Sequence, residues 1–326
     1  MPDSFILHAS LFDGKGGATP LDGMAITQKV KEKSLAWVHL DANHQESREW
    51  LKRELNYLDP LVVEALVADE TRPRVAQFQG GVLLILRGVN LNEGADPEDM
   101  VSLRVWVDDS RIISLQRRSL KAVSDIQAML MSEAQNGPKN AGEFVAMLVV
   151  RLLERMEPVF AHVDEALDVM EEGVIEEPDA SKRQDVSDLR KQVIWFRRYL
   201  LPQRDALMLL RGSDVSWLNN AHKRHIQEAL DRAIRYVEDL DAFRERAQVI
   251  KDELEAALND RLNHNMYVLS VIAAIFLPLG FLTGLLGINV GGIPGAENDW
   301  SFLIFCGILI AVVVGQVALF RKMKWF

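Results

Sequence analysis

The stretch MYVLSVIAAIFLPLGFLTGLLGI, residues 266–288, decides how this chain is built. Its 23 residues include no charged side chain. As an α-helix it is about 35 Å long, enough to cross a hydrocarbon layer of about 30 Å. A second charge-free run, WSFLIFCGILIAVVVGQVALF, fills residues 300–320. A single apolar run also suits a buried core helix, but two in succession favour a membrane. The connector, residues 289–299, is short, so the two runs predict a hairpin with both outer ends on one side. The connector holds no Lys or Arg, whereas Arg261 precedes the first span and Arg321, Lys322 and Lys324 follow the second. Positive charge stays on the cytoplasmic side. Both termini are therefore expected in the cytoplasm, with the hairpin in the cell's inner (plasma) membrane and the lipid bilayer as its first partner.

Composition narrows the remainder. The 326 residues carry a formal charge of −10, and nearly all the acidic residues precede residue 266. That balance argues against nucleic acid, whose phosphates need a basic face. One cysteine, Cys306, excludes a disulfide framework and a cysteine zinc finger. Residues 1–10 lack the basic and apolar regions of a signal peptide. There is no Gly-rich phosphate loop, Ser–His–Asp set or HExxH motif, so nothing points to an enzyme or to a bound cofactor.

The expected class is α+β: an N-terminal α/β/α domain (1–138), an acidic helical hairpin (139–212), a helical stalk (213–265), two membrane helices (266–288 and 300–320), their loop (289–299) and a basic tail (321–326). Strand candidates rich in Val, Ile, Leu and Trp are 5–9, 36–40, 75–78, 82–90, 103–107 and 111–116. The last two are joined by Asp108-Asp109-Ser110 and read as a hairpin in a mixed sheet. Helical periodicity covers 45–56, 60–68, 120–134 and 144–170, and Asp179 is a plausible cap for a helix running to Leu210. From Asp214 to Ile288 one helix is expected, with a heptad-like seam at Leu230, Val237, Leu240, Ala247, Ile250, Leu254 and Leu258.

The first span closes on Gly287-Ile288-Asn289, followed by Val290-Gly291-Gly292-Ile293-Pro294-Gly295. Here the chain resembles the CorA family of divalent-cation transporters, which carry a Gly-x-Asn signature at the end of the first of two C-terminal helices. The likeness runs along the whole chain and includes Pro278 within Ile275-Phe276-Leu277-Pro278-Leu279, and Asp41 after the strand holding Trp37. Magnesium-transporting members typically continue with a Gly-Met-Asn and an aromatic Met-Pro-Glu-Leu type of loop. The Gly-Ile-Asn-Val-Gly-Gly sequence instead looks like the ZntB branch, associated with zinc. The resemblance implies a homopentamer, ion selection at Gly287, Ile288 and Asn289, and coupling to a proton gradient. Magnesium transport, or a non-conducting membrane-anchored sensor, are the alternatives.

The residues support a physical reading beside this. Asn263, Met266, Ser270, Ala273, Leu277, Gly280, Gly284 and Gly287 recur with a period near 3.5, mostly small or polar. That face suits an axial path with Met266 and Leu277 as constrictions, or close helix packing. Asn289 offers a neutral amide oxygen at the outer mouth, suited to a hydrated cation. Glu297 and Asp299 add negative potential there, or are simply solvated. The spans hold no carboxylate or histidine for a proton relay, and His264 is the only imidazole at the membrane edge. Residues 154–188 hold twelve acidic against three basic side chains, either a cation attractor or a solvated helix face. Within them His162, Asp164, Glu165 and Asp168 share a helix and form one candidate metal set; His222 and His225 form another, since zinc favours imidazole. Both sets have solvated side chains as their plain alternative.

Overall fold

A computed structural model of the chain describes residues 5–32, 34–288, 293, 295 and 298–323. Asn289 and Glu297 lie outside the described residues. The chain divides into two compact units, Met1–Asp252 and Glu253–Phe326.

The first unit opens with β1 (Ile6–Phe12), β2 (Ala18–Pro20), α1 (Met24–Lys31), β3 (Ala36–Asp41), α2 (Gln45–Glu54), α3 (Pro60–Val67), β4 (Arg74–Phe78), β5 (Gly81–Gly88), β6 (Val101–Val107), β7 (Arg111–Gln116) and α4 (Lys121–Met131). The strands form one mixed sheet in the order β2-β1-β3-β7-β6-β5-β4, in which β3 and β7 run parallel. The expected β6–β7 hairpin is present: the Asp108 N–H donates to the Arg111 carbonyl at 3.0 Å, and Asp108 Oδ1 accepts from the Ser110 N–H at 2.8 Å.

Strand alternation sends one set of side chains to each face. Val38, Leu40, Leu83, Ile85, Ile113 and Leu115 pack with Val30, Trp50, Leu51, Val62 and Leu66 of α1–α3 and with Leu55 just after α2. On the other face Trp37 meets Phe144 edge-on at 4.9 Å. Gly88 there leaves room for Leu120 and Leu152; a Cβ would come within 2.8 and 2.9 Å of them. Both faces are covered, as the α/β/α expectation requires.

Two elements escape the sequence reading. Strand β2 has three residues and exists only through pairing with β1. Helix α1 buries only Ile26 and Val30, too few to show a period. The sheet ends differently on its other side. Strand β4 begins at Arg74, opposite Ile85. Beyond that point the Gln203 side chain accepts from the Arg87 N–H at 2.6 Å and donates to the Arg87 carbonyl at 3.1 Å, standing in for a strand.

The helical part begins with α5 (Ala141–Glu154), α6 (Glu157–Glu176) and α7 (Lys182–Gly212). The single helix expected over 144–170 is thus two. Pro158 cannot donate to a preceding turn, and a new helix starts with it in the first turn. The expected cap at Asp179 is displaced: α7 is capped at Ser181, without a side-chain bond, and Asp179 Oδ1 accepts from the Ser181 N–H at 2.9 Å in the turn before it. The long helix α8 (Asn220–Leu286) has 67 residues, about 100 Å. It starts later than Asp214, because Asn219 Oδ1 accepts from the Ala221 and His222 N–H groups at 2.9 and 3.1 Å and sets its first turn. Leu230, Val237, Leu240, Ala247, Ile250 and Leu254 of the expected seam are buried, while Leu258 is half-buried. Phe160 ties three helices together, edge-on to Phe196 at 5.1 Å and to Tyr236 at 5.0 Å.

One buried polar group gives this unit a pH dependence. His39 is 1% exposed, and its Nδ1 lies 2.7 Å from Ser114 Oγ, which also accepts from Trp37 Nε1–H at 2.7 Å. Burial pushes the His39 imidazole down to a pKa of about 4. The unfolded chain takes up a proton near pH 6.5 that the folded chain refuses. Stability is therefore full above about pH 6.5 and lost as pH falls toward about 4, by a total of about 3 kcal/mol. Urea unfolding of the detergent-solubilised protein, followed by tryptophan fluorescence, should show this slope between pH 7 and 4.5. His39→Gln should flatten it; equal slopes in the two proteins would remove His39 as the cause.

Candidate functional site

The second unit holds the remainder of α8 and α9 (Ser301–Lys322). Among the described residues, two helices have stretches long and apolar enough to cross a membrane, and only 6% and 0% of these stretches are buried. A soluble core helix would be mostly buried, so these segments have bare apolar surface that needs another apolar medium.

One face of the first segment is covered. Val271 is buried, and Ala274, Ile275, Pro278 and Leu282 are partly so. These residues follow a helical stripe at spacings of three and four. The cover includes one main-chain repair. Pro278 has no N–H, so the carbonyl four residues earlier, on Ala274, loses its helical donor. Gln316 of α9 supplies one, its Nε2 donating to the Ala274 carbonyl at 3.1 Å. Gln316 Oε1 has no hydrogen-bond partner among the described residues.

The other face is bare. Asn263, Met266, Ser270, Ala273, Leu277, Gly280, Gly284 and Gly287 are all exposed. By the helical period they lie on the side away from the Pro278 stripe. A Cβ at Gly280 or Gly284 would meet nothing within 4 Å, so neither glycine is required by packing inside the chain. The hydroxyls on this segment spend their protons locally. Ser270 Oγ donates to the Met266 carbonyl at 2.7 Å, and Thr283 Oγ1 donates to the Leu279 carbonyl at 2.9 Å. Each thereby presents an oxygen acceptor, the polarity that the outward hydrogens of a hydrated cation need. Gly287 continues the helical pattern, its N–H donating to the Thr283 carbonyl at 2.9 Å. Ile288 and Asp299 are exposed. Asn289 and Glu297, the other residues of the expected mouth, are outside the described residues.

The two candidate metal sets do not assemble. Among the described residues, no group of three or more His, Cys, Asp or Glu side chains is placed to hold a metal ion. Asp164 and Asp168 instead meet Arg246 of α8 at 2.9 and 2.5 Å, together with Glu171 at 2.9 Å. These hydrogen bonds, Asp168 first, push the Arg246 guanidinium above its ordinary range. His162 and Glu165 line a shallow cavity between α6 and α7 beside apolar Val169 and Val174. His222 is buried and accepts from the Asn219 N–H at 3.3 Å; it closes the first turn of α8 against Gly142, where a Cβ would strike its ring. His225 is exposed, 3.8 Å from Glu228. Arg246 takes Asp164 and Asp168 of the first set, and the first turn of α8 takes His222 of the second.

Sequence reasoning missed Gln316 and Arg246. Gln316 had a usable signal: it is the only amide in the second apolar run, and a proline in the first run calls for a donor. Arg246 had none, because its acidic partners are about 80 residues away in the chain.

The comparisons with known proteins agree on the architecture. The CorA-like Mg2+ transporter protein family matches residues 32–322. The chain is 38% identical to the divalent cation transporter CmaX of Pseudomonas aeruginosa, covering 98% of this chain and 96% of that one. It is 35% identical to the zinc transport protein ZntB of Pectobacterium atrosepticum, covering 98% and 95%. The solved structure of full-length CmaX superposes with a TM-score of 0.84 at 36% identity, covering 98% of both chains. The CorA magnesium transporter of Methanocaldococcus jannaschii shares the fold, with a TM-score of 0.77 at 17% identity over 98% of this chain and 99% of that one.

The repair at Ala274 predicts a non-additive pair. Gln316→Leu should lower thermal stability in detergent or lipid by about 1 kcal/mol. Pro278→Ala restores the N–H that Ala274 lacks, and in that background Gln316→Leu should cost much less. Equal costs in both backgrounds, read from thermal unfolding, would show that the hydrogen bond carries no weight.

Proposed function

Because this chain belongs to the CorA-like Mg2+ transporter family, we propose that it carries divalent cations, zinc foremost, across the cell's inner membrane. The path is axial, lined by the first membrane segment in a homo-oligomer, with five copies as the family expectation. The observation that carries this reading is the bare face of that segment, small or polar at most positions and turned away from its covering helix. A face of that kind serves either a neighbouring copy or an aqueous path, and a ring of copies uses it for both.

Each part has a physical role in this reading. Gly287, Ile288 and Asn289 form the selecting ring at the outer mouth. Amide oxygens there hold a cation through its water shell, which avoids the high cost of dehydrating a small divalent ion. Glu297 and Asp299 raise the local cation concentration. Ser270 and Asn263 continue the acceptor lining, and Met266 and Leu277 are apolar constrictions between them. The first 138 residues and the acidic helices form the cytoplasmic body that supports the stalk, with both termini in the cytoplasm.

Zinc is favoured over magnesium by the Gly-Ile-Asn-Val-Gly-Gly loop and by the likeness to zinc transport proteins. Coupling to a proton gradient is part of the same likeness. With no carboxylate or histidine in either span, protons need no fixed carrier if water fills the path.

Purified protein in proteoliposomes should take up zinc, faster with an imposed pH gradient than without one. Magnesium flux without zinc flux would overturn the zinc assignment, and no metal flux would overturn transport itself. Asn289→Ala should lower zinc flux at least severalfold while the size-exclusion profile stays the same. Unchanged flux would remove Asn289 from the selecting ring.

A further inference from the structure

Within a chain of net charge −10, the described residues enclose a strongly basic cavity. It has a volume of about 550 Å³ and lies beyond the C-terminal ends of β5 and β7, walled by α7. Six arginines line it, Arg72, Arg87, Arg104, Arg117, Arg118 and Arg198, against the three carboxylates Asp69, Glu70 and Asp99. Two of those carboxylates are already used. Asp69 accepts from Arg117 at 2.5 Å, and Asp99 takes both guanidinium nitrogens of Arg118.

The deepest member is Arg104, 1% exposed. Its Nη2 donates to the Ala68 carbonyl at 2.8 Å, whereas Nε and Nη1 have no partner among the described residues. Arg87 Nε and Arg117 Nε are likewise buried without a partner. Burial, then the neighbouring charges of Arg117 and Arg87, pushes the Arg104 guanidinium down to about 10. Three cations thus crowd together with donors to spare and too few protein anions, an arrangement that costs free energy unless an anion completes it.

The donors are also fixed in direction. Arg87 donates to the Met100 and Thr71 carbonyls at 2.5 and 2.7 Å and lies 4.0 Å over the Tyr199 ring. Arg198 sits 4.9 Å over the Trp195 ring. Planar forks held by rings and carbonyls are suited to phosphate oxygens, which accept two parallel N–H bonds from one guanidinium. The volume exceeds what a single monovalent ion fills.

We propose that this cavity is a binding site for a small polyanion of the di- or triphosphate type, seated on Arg104, Arg87 and Arg117 with Arg118 at its rim. The bound anion joins α7 to the sheet at the point where Gln203 already links them.

The test is isothermal titration calorimetry of the full-length protein in non-ionic detergent, free of divalent cations, at constant ionic strength. Sodium pyrophosphate is the probe. Saturable binding of one anion per chain is expected. Arg104→Gln should weaken it at least tenfold, and Arg118→Gln severalfold. Asp99→Asn should tighten it severalfold, because it frees Arg118 and removes a negative charge; damage to the fold alone would not do that. Should Arg104→Gln fail to fold, the rim variants decide. Absence of saturable binding, displacement by chloride at equal concentration, or wild-type affinity in both rim variants would overturn the proposal.

Discussion

A carbonyl group inside a hydrocarbon layer has no water to turn to. That constraint governs the membrane half of this chain. Helices satisfy it by bonding within themselves, and Pro278 breaks the rule at one point. The repair comes from Gln316, so the proline and the amide select the same pair of faces. Once the Pro278 stripe is committed to α9, the opposite stripe of Gly280, Gly284 and their neighbours is left uncovered. Pro278 and Gln316 thus both belong to the packed side, and Gly280 and Gly284 lie outside it. The functional reading begins from the open face.

Charge is handled differently in the first unit. Acidic side chains crowd α6, and α8 answers with Arg246, which gathers Asp164, Asp168 and Glu171. The result is a laced helix pair rather than a free acidic surface. At the end of the sheet the imbalance has the opposite sign, with arginines outnumbering carboxylates and several donors unused. Net charge alone says nothing of either arrangement. It averages a cluster that neutralises itself with one that does not.

Much of the fold was legible in the sequence because it depends on local pattern. The two apolar runs, the β6–β7 hairpin and the long stalk could all be read from spacing. The pieces that could not be read depend on distant partners. Strand β2 is a strand only beside β1, and a strand-like bond pair at Arg87 comes from Gln203, 116 residues away. The split at Pro158 was legible and overlooked, since the apolar period runs through it. The stripe of Asn263, Met266, Ser270 and their neighbours could be read as one helix face, but not which side chains are free to be ligands. Period 3.5 identifies which residues share a stripe; whether His222 or Asp164 is free to bind metal depends on Asn219 and Arg246, which periodicity cannot weigh.

The two ends of the sheet bear on how the cell makes this protein. Edge strands offer unpaired N–H and carbonyl groups to any passing chain. Here one edge is the three-residue β2, ending in Pro20, and on the other side, past the start of the edge strand β4, the outward groups of Arg87 in β5 are taken by Gln203. Translation delivers the sheet well before the apolar hairpin, an interval on the order of ten seconds at ribosomal speeds. Throughout it the folded domain can meet other nascent copies of itself. A three-residue edge and a capped strand end work against strand-to-strand joining of such copies.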